Sequence, residues 1–202
     1  MSDKALIVID IQNDFCPGGA LAVAQGDDII APVNELIACH DHIIVTQDWH
    51  PHNHSSFASQ HDGCDPYQII EMPYGKQVLW PDHCIQGSYG ADFHPDLHWQ
   101  KSELLLRKGY NSAIDSYSAF FENDHKTPTG LAGYLTERQI KKILLCGLAT
   151  DFCVAYSAID GVRSGFEVSV VLTACRAIDL NGSLDHAIKA MQNNGVELLL
   201  TI

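Results

Sequence analysis

Short apolar runs recur along the chain, and each gives way to polar or ionisable residues. Lys4–Asp10 (KALIVID) is apolar from Ala5 to Ile9 and ends in a carboxylate. His42–Gln47 (HIIVTQ) is followed by Asp48-Trp49-His50, and Glu103–Lys108 (ELLLRK) ends in a lysine. Ile140–Leu145, Glu167–Leu172 and Val196–Ile202 complete the set. Runs of this length, apolar throughout rather than alternating, predict strands buried on both faces, as in a parallel sheet. Between them the spacing changes to helical. Ile29–His40 places Ile29, Ile30, Val33, Leu36 and Ile37 on one face, with Asp27 or Asp28 to open it. Gly130–Arg138, Cys153–Gly165 and Asn181–Asn194 read as further helices, the last closed by Asn194-Gly195. Six strands alternating with helices predict a parallel α/β sheet. No internal repeat, linker or low-complexity stretch divides the chain, which predicts one domain over residues 1–202.

Two stretches fit neither period. Pro51–Lys101 gives no convincing strand or helix, and Gly109–Phe121 is loop-like. A long irregular segment in a compact domain is functional or disordered. The aromatic content of the first (Phe57, Tyr67, Tyr74, Trp80, Tyr89, Phe93, Trp99) predicts an ordered cover over the sheet, able to wall off a small apolar pocket.

The ends of the predicted strands carry the chemistry. In an open parallel sheet, ligands bind at the carboxyl ends of the strands. The strand Ile140–Leu145 runs through Cys146-Gly147-Leu148-Ala149-Thr150-Asp151-Phe152-Cys153 into a helix, with Cys153 in that helix's first turn. The unpaired N–H groups there favour thiolate over thiol. Taken alone, the stretch serves a small buried cysteine as well as a reactive one. Asp10 at the same edge, flanked by Ile and Val, is a turn-capping carboxylate or a proton-transfer group with a raised pKa. Lys108 is a third ionisable side chain at that edge, and beside Cys153 and Asp10 it would favour the charged forms. Asp48 and His50, two apart in extended chain, share a face, and His52, His54, His61 and His83 offer further ligands for a metal.

Composition narrows the partners. Twelve Lys and Arg against 25 Asp and Glu give a net charge of −13 without a basic cluster, which argues against nucleic acid or an anionic membrane. Seven cysteines form no Cys-x-x-Cys, so a zinc knuckle or dithiol pair is not expected. The N-terminal apolar run is broken at Asp10, too early for a signal segment or a membrane span. A reducing, cytoplasmic setting with free thiols is expected.

With these residues in place, the sequence resembles the nicotinamidases of the isochorismatase-like cysteine hydrolase family. The segments that carry the resemblance are Val8–Phe15 (VIDIQNDF), Gln47–Pro51 (QDWHP), Trp80–Cys84 (WPDHC), Lys108-Gly109, Asp115–Phe121 (DSYSAFF) and Gly147–Cys153 (GLATDFC). They run in order through nearly the whole chain, and together they are far more specific than any one alone. The resemblance implies a Rossmann-like, three-layer α/β/α fold on a six-stranded parallel sheet. It implies a catalytic triad of Asp10, Lys108 and Cys153 and an oxyanion hole from the N–H groups of Ala149 and Cys153. It implies one divalent metal on Asp48, His50 and His83, with zinc favoured and iron or manganese left open. His54 or Ser56 would stand near the metal's waters. Phe15, Trp80 and Tyr117 would hold the ring of nicotinamide, and pyrazinamide is expected as a second substrate. The family's cis peptide would fall at Leu148-Ala149. A homo-oligomer is left open.

Two rivals remain at this stage. A metal-free amidase of the same superfamily would keep the triad, but Asp48, His50 and His83 argue against it. A non-catalytic metal-binding or thiol-sensing protein would leave Asp10 and Lys108 without a purpose.

Overall fold

The computed structural model describes residues 2–201. Its centre is a six-stranded sheet in the order β5-β2-β1-β6-β7-β8, every pairing parallel. The strands are β1 (Lys4–Ile9), β2 (His42–Asp48), β5 (Leu104–Lys108), β6 (Lys142–Leu148), β7 (Glu167–Arg176) and β8 (Glu197–Leu199). β1, β2 and β6 are buried along all but their first residue, which is why they read as unbroken apolar runs. The helices are α1 (Ile30–Cys39), α2 (Leu131–Glu137), α3 (Ala155–Arg163) and α4 (Ser183–Asn193).

From β1 the chain steps outward through β2 to β5, then returns to β6 on the other side and steps outward through β7 to β8. Right-handed crossovers in opposite directions place helices on opposite faces, giving the three layers. The reversal lies between β1 and β6, so a crevice opens beyond the carboxyl ends of those two strands. Asp10 follows the first, and the turn bearing Cys153 follows the second.

Several predicted boundaries move. β7 extends through Arg176, four residues past the expected end at Leu172. The last strand is only Glu197–Leu199, and of the expected Val196–Ile202 the final Ile202 lies outside the described residues. Neither Asp27 nor Asp28 caps α1; both lie in a 3-10 turn, Gly26–Ile29, that leads into it. The largest departure is in residues 51–101, expected to hold no regular structure. They contain an antiparallel hairpin, β3 (Ile69–Met72) and β4 (Gly75–Val78), and 3-10 turns at Ala58–Gln60, Tyr89–Ala91 and Trp99–Lys101. Four-residue strands outside the main sheet leave too short a period to register in sequence.

One glycine keeps β6 close to its neighbour. Gly147 has φ +122°, and a Cβ on it would lie 2.1 Å from the Ile9 carbonyl oxygen. The ladder with β7 shifts register between Leu145 and Gly147, so the strand bends just before the turn that carries Cys153. Among the described residues no helix is long and apolar enough to cross a membrane.

Candidate active site

Three buried side chains meet at the reversal point. The Lys108 ammonium, at the end of β5, lies 2.7 Å from Asp10 Oδ2 and 3.4 Å from Cys153 Sγ. It also contacts the Asp48 carboxylate and donates to the Ser116 carbonyl at 3.1 Å. Asp10 is held in the left-handed region at φ 47°, which turns its side chain back toward β2. There Thr46 Oγ1 donates to Asp10 Oδ1 at 2.6 Å and accepts from the Asp10 N–H at 3.2 Å. Asp10 Oδ2 has its ionic contact with Lys108 but no well-angled hydrogen-bond donor among the described residues. That oxygen is therefore available to a proton from the neighbouring thiol.

Burial decides the charge states. Burial, with the Asp48 charge, pushes Asp10 up to about 6 although Lys108 pulls it down. Burial also drives the Cys153 thiol well above its ordinary value; Lys108 opposes this, while Asp10 and Asp48 reinforce it. Burial works against a charged Lys108, yet Asp10 and Asp48 outweigh it and hold the ammonium protonated. Sequence reasoning expected the helix start and Lys108 to favour thiolate; burial, the larger influence, works the other way and favours the thiol. Cys153 also lies two residues before α3, inside a π-helical turn, Thr150–Val154, that leads into that helix. Wide turns of this kind gather at functional positions. The Leu148-Ala149 peptide is cis, as expected.

Asp48, His50 and His83 present ligand atoms within 4.8 Å of one another. His50 Nδ1 donates to the Gly109 carbonyl at 2.9 Å and His83 Nδ1 to the Pro81 carbonyl at 2.8 Å. A carbonyl can only accept, so each Nδ1 carries the proton and each Nε2 keeps a lone pair for a metal. His50 Nε2 lies 3.8 Å from Asp48 Oδ2. Burial raises Asp48, but Lys108, followed by His50, more than offsets this and holds it well below the usual carboxylate range. Burial and His50 lower His83 to about 4, which keeps it neutral, the state a ligand needs. Burial lowers His50, but Asp48 outweighs it and raises the imidazole above its ordinary value. One carboxylate and two imidazoles suit a divalent ion such as zinc.

The backbone around this group is pinned from several sides. Gln12 clamps Asp48, its Nε2 donating to the Asp48 carbonyl and its Oε1 accepting the Asp48 N–H, each at 2.8 Å. Asp14 Oδ2 accepts the Cys84 N–H at 2.7 Å and so holds the turn that carries His83. Gly109 has φ +66°, and a Cβ there would lie 2.3 Å from the His50 ring. His54 and Ser56 are buried beside the group; the His54 ring is 4.3 Å from that of His50, and its Nδ1 pairs with Ser56 Oγ at 2.7 Å.

Phe15, Trp80 and Tyr117 line one small pocket with Cys153, Ala149, Asp48, His50 and His83. Sequence reasoning did not anticipate the roles of Leu21, Asp115, Phe152 and Ile178, which line it too. Asp115 and Phe152 fall inside segments that carried the resemblance, whereas Leu21 and Ile178 arrive from loops with no local signal. His52 and His61, weighed as ligands, are not in the group.

Comparison with known proteins agrees with this geometry. The isochorismatase domain family matches residues 4–202. A nicotinamidase from Acinetobacter baylyi is 55% identical over 96% of this chain and 90% of its own length. The solved structure of an Acinetobacter baumanii nicotinamidase and pyrazinamidase superposes with a TM-score of 0.97 at 53% identity, covering 98% of this chain and 96% of that one. A Pyrococcus horikoshii pyrazinamidase, solved in complex with zinc, superposes with a TM-score of 0.79 at 33% identity, covering 98% and 99%.

Proposed function

The chain belongs to the isochorismatase domain family, and from that membership we propose that it is a nicotinamidase, a hydrolase that converts nicotinamide to nicotinic acid and ammonia in NAD salvage. It works as one domain over residues 1–202, in the cytoplasm. The observation that carries the reading is Lys108, which joins Asp10, Cys153 and Asp48 through one ammonium group and so ties a nucleophile to a metal-ligand set.

The Cys153 sulfur attacks the carboxamide carbon as its proton passes to Asp10 Oδ2, the oxygen without another donor. A raised thiol beside a carboxylate near 6 keeps the proton until substrate arrives, and Lys108 then balances the charge that develops. The N–H groups of Ala149 and Cys153, at the turn after β6, receive the oxyanion. Asp10 gives the proton to the departing nitrogen, so the C–N bond breaks and ammonia leaves a thioester. Water adds to that carbonyl, losing its proton to Asp10, and the C–S bond breaks to release the acid and restore the thiol. Asp48, His50 and His83 would hold one divalent cation, zinc being favoured, which supplies a Lewis-acidic position for the pyridine nitrogen. Phe15, Trp80 and Tyr117 hold the ring.

Comparing nicotinamide, pyrazinamide and benzamide tests the reading. Nicotinamide and pyrazinamide, which both carry the ring nitrogen, should release ammonia. Benzamide lacks it, and a site built to bind an atom discriminates strongly against an analogue without one. Equal kcat/KM for benzamide and nicotinamide would reject the ring-nitrogen role, and no ammonia from any of the three would reject the amidase.

A further inference from the structure

We propose that Gln77, on the second strand of the hairpin, is a positioning residue that fixes the aromatic wall of the pocket and so sets how tightly the substrate ring is held. The identity of that ring rests on the nicotinamidase reading; the geometry does not.

Gln77 is fully buried, though it belongs to a hairpin that pairs with no strand of the main sheet. Its Nε2 lies 2.9 Å from Asp115 Oδ2, 2.8 Å from the Val78 carbonyl and 2.8 Å from the Tyr117 hydroxyl. Its Oε1 accepts from Tyr74 OH at 3.1 Å and from Asn123 Nδ2 at 3.2 Å. The surroundings fix the orientation of the amide. A carboxylate and a carbonyl can only accept, so the NH2 must face them, and reversal would set Oε1 against Asp115. The Tyr117 oxygen also receives the Trp80 indole N–H at 3.0 Å, and an indole N–H can only donate. The Gln77 NH2 has two hydrogens for these three oxygens, so one of them is shared. The phenol oxygen sits against that NH2 and receives the Trp80 indole N–H, with the two rings edge-on at 6.2 Å. A second path runs through Asn123, whose Oδ1 accepts the Tyr117 N–H at 3.0 Å.

Gln77 therefore reaches Tyr117 through both its hydroxyl and its backbone, yet it is not among the residues that line the pocket. Buried networks of this kind define a single arrangement when every member is satisfied. Asp10 and Lys108 sit at the ends of main-sheet strands and Cys153 in the turn after β6, and none of the three shares a hydrogen bond with Gln77. Loosening the wall should accordingly weaken ring binding and spare the chemical step, which separates this role from one in stability alone.

The test is a cycle of Gln77→Met, Tyr117→Phe and the double variant, with KM and kcat measured on nicotinamide. Gln77→Met should raise KM about tenfold, the equivalent of one lost hydrogen bond, with kcat within about twofold. The double variant should match the weaker single rather than multiply the two, since both act on one wall. A wild-type KM for Gln77→Met, or multiplied effects in the double variant, overturns the proposal. Gln77→Leu removes the amide without adding a charge beside Asp115, and it serves if the Met variant is insoluble. Loss of fold in both would assign Gln77 to folding and also overturn it. If the wild-type protein releases no ammonia from nicotinamide, the functional reading fails by itself. The crystal structure of the Gln77 variant then decides the geometry: displaced Tyr117 and Trp80 rings support the proposal, and unmoved rings refute it.

Discussion

The proposed mechanism gives Asp10 two jobs that one carboxylate can do only if its proton is neither too tight nor too loose. It must be ionised to accept the thiol proton and acidic enough to return it, and burial beside Lys108 brings it to about 6. The protonated form, populated below that value, cannot accept. On metal-saturated protein, kcat/KM should fall about tenfold per pH unit below about pH 6 and level off above it. A flat profile from pH 5 to 7 would reject Asp10 as the acceptor. Asp10→Asn should reduce kcat by roughly 10²–10⁴-fold, the usual contribution of a positioned acid–base group, while Asp48 still compensates Lys108 and the protein still folds. These residues were legible because a carboxylate, a lysine or a cysteine at the end of an apolar run stands out against its neighbours. The charge state of Cys153 was not legible. A local rule about helix starts favoured thiolate, while the burial that outweighs it comes from strands and loops distant in sequence. Leu21 and Ile178 were hidden for the same reason, since ordinary apolar residues gain a role only when loops converge.

At the scale of elements, the main strands announced themselves and the hairpin did not. β1, β2 and β6 are long enough and buried enough to give continuous runs. β3 and β4 are four residues each, with exposed and half-buried positions, and what they contribute is one buried amide. Two junctions can be tested directly. Gly109→Ala would force an L residue to φ +66° and press a methyl into the His50 ring. The backbone cost alone is about 1–3 kcal/mol, so Tm should fall by several degrees, and retention of added zinc, read by elemental analysis after dialysis, should drop. Unchanged Tm and metal content would show that the loop relaxes freely. Asp151 accepts the N–H groups of Ile178 at 3.0 Å and Asp179 at 2.8 Å and the hydroxyl of Ser183, tying the β7–α4 connection to the turn that carries Cys153. Asp151→Ala strands those donors at a cost of about 1–3 kcal/mol. It should accelerate amide hydrogen exchange at Ile178 and Asp179, and native protection there would count against the tie.

At the scale of the molecule, function follows from where the sheet reverses. The alternation of strands and helices was readable, but the order β5-β2-β1-β6-β7-β8 was not, because pairing between distant strands leaves no local trace. Once β1 and β6 are neighbours, Asp10 and Cys153 must meet beyond their carboxyl ends, and β5, two strands away, brings Lys108 across Asp48 to join them. The claim on which everything else depends is that this junction forms a thioester on Cys153. Rapid quenching of the metal-loaded protein with nicotinamide in acid, followed by peptide mass spectrometry, measures it most directly. The account predicts a nicotinoyl group on the Cys153 peptide, absent from Cys153→Ala, which should also release no ammonia. Ammonia released at the wild-type rate by Cys153→Ala would contradict the account.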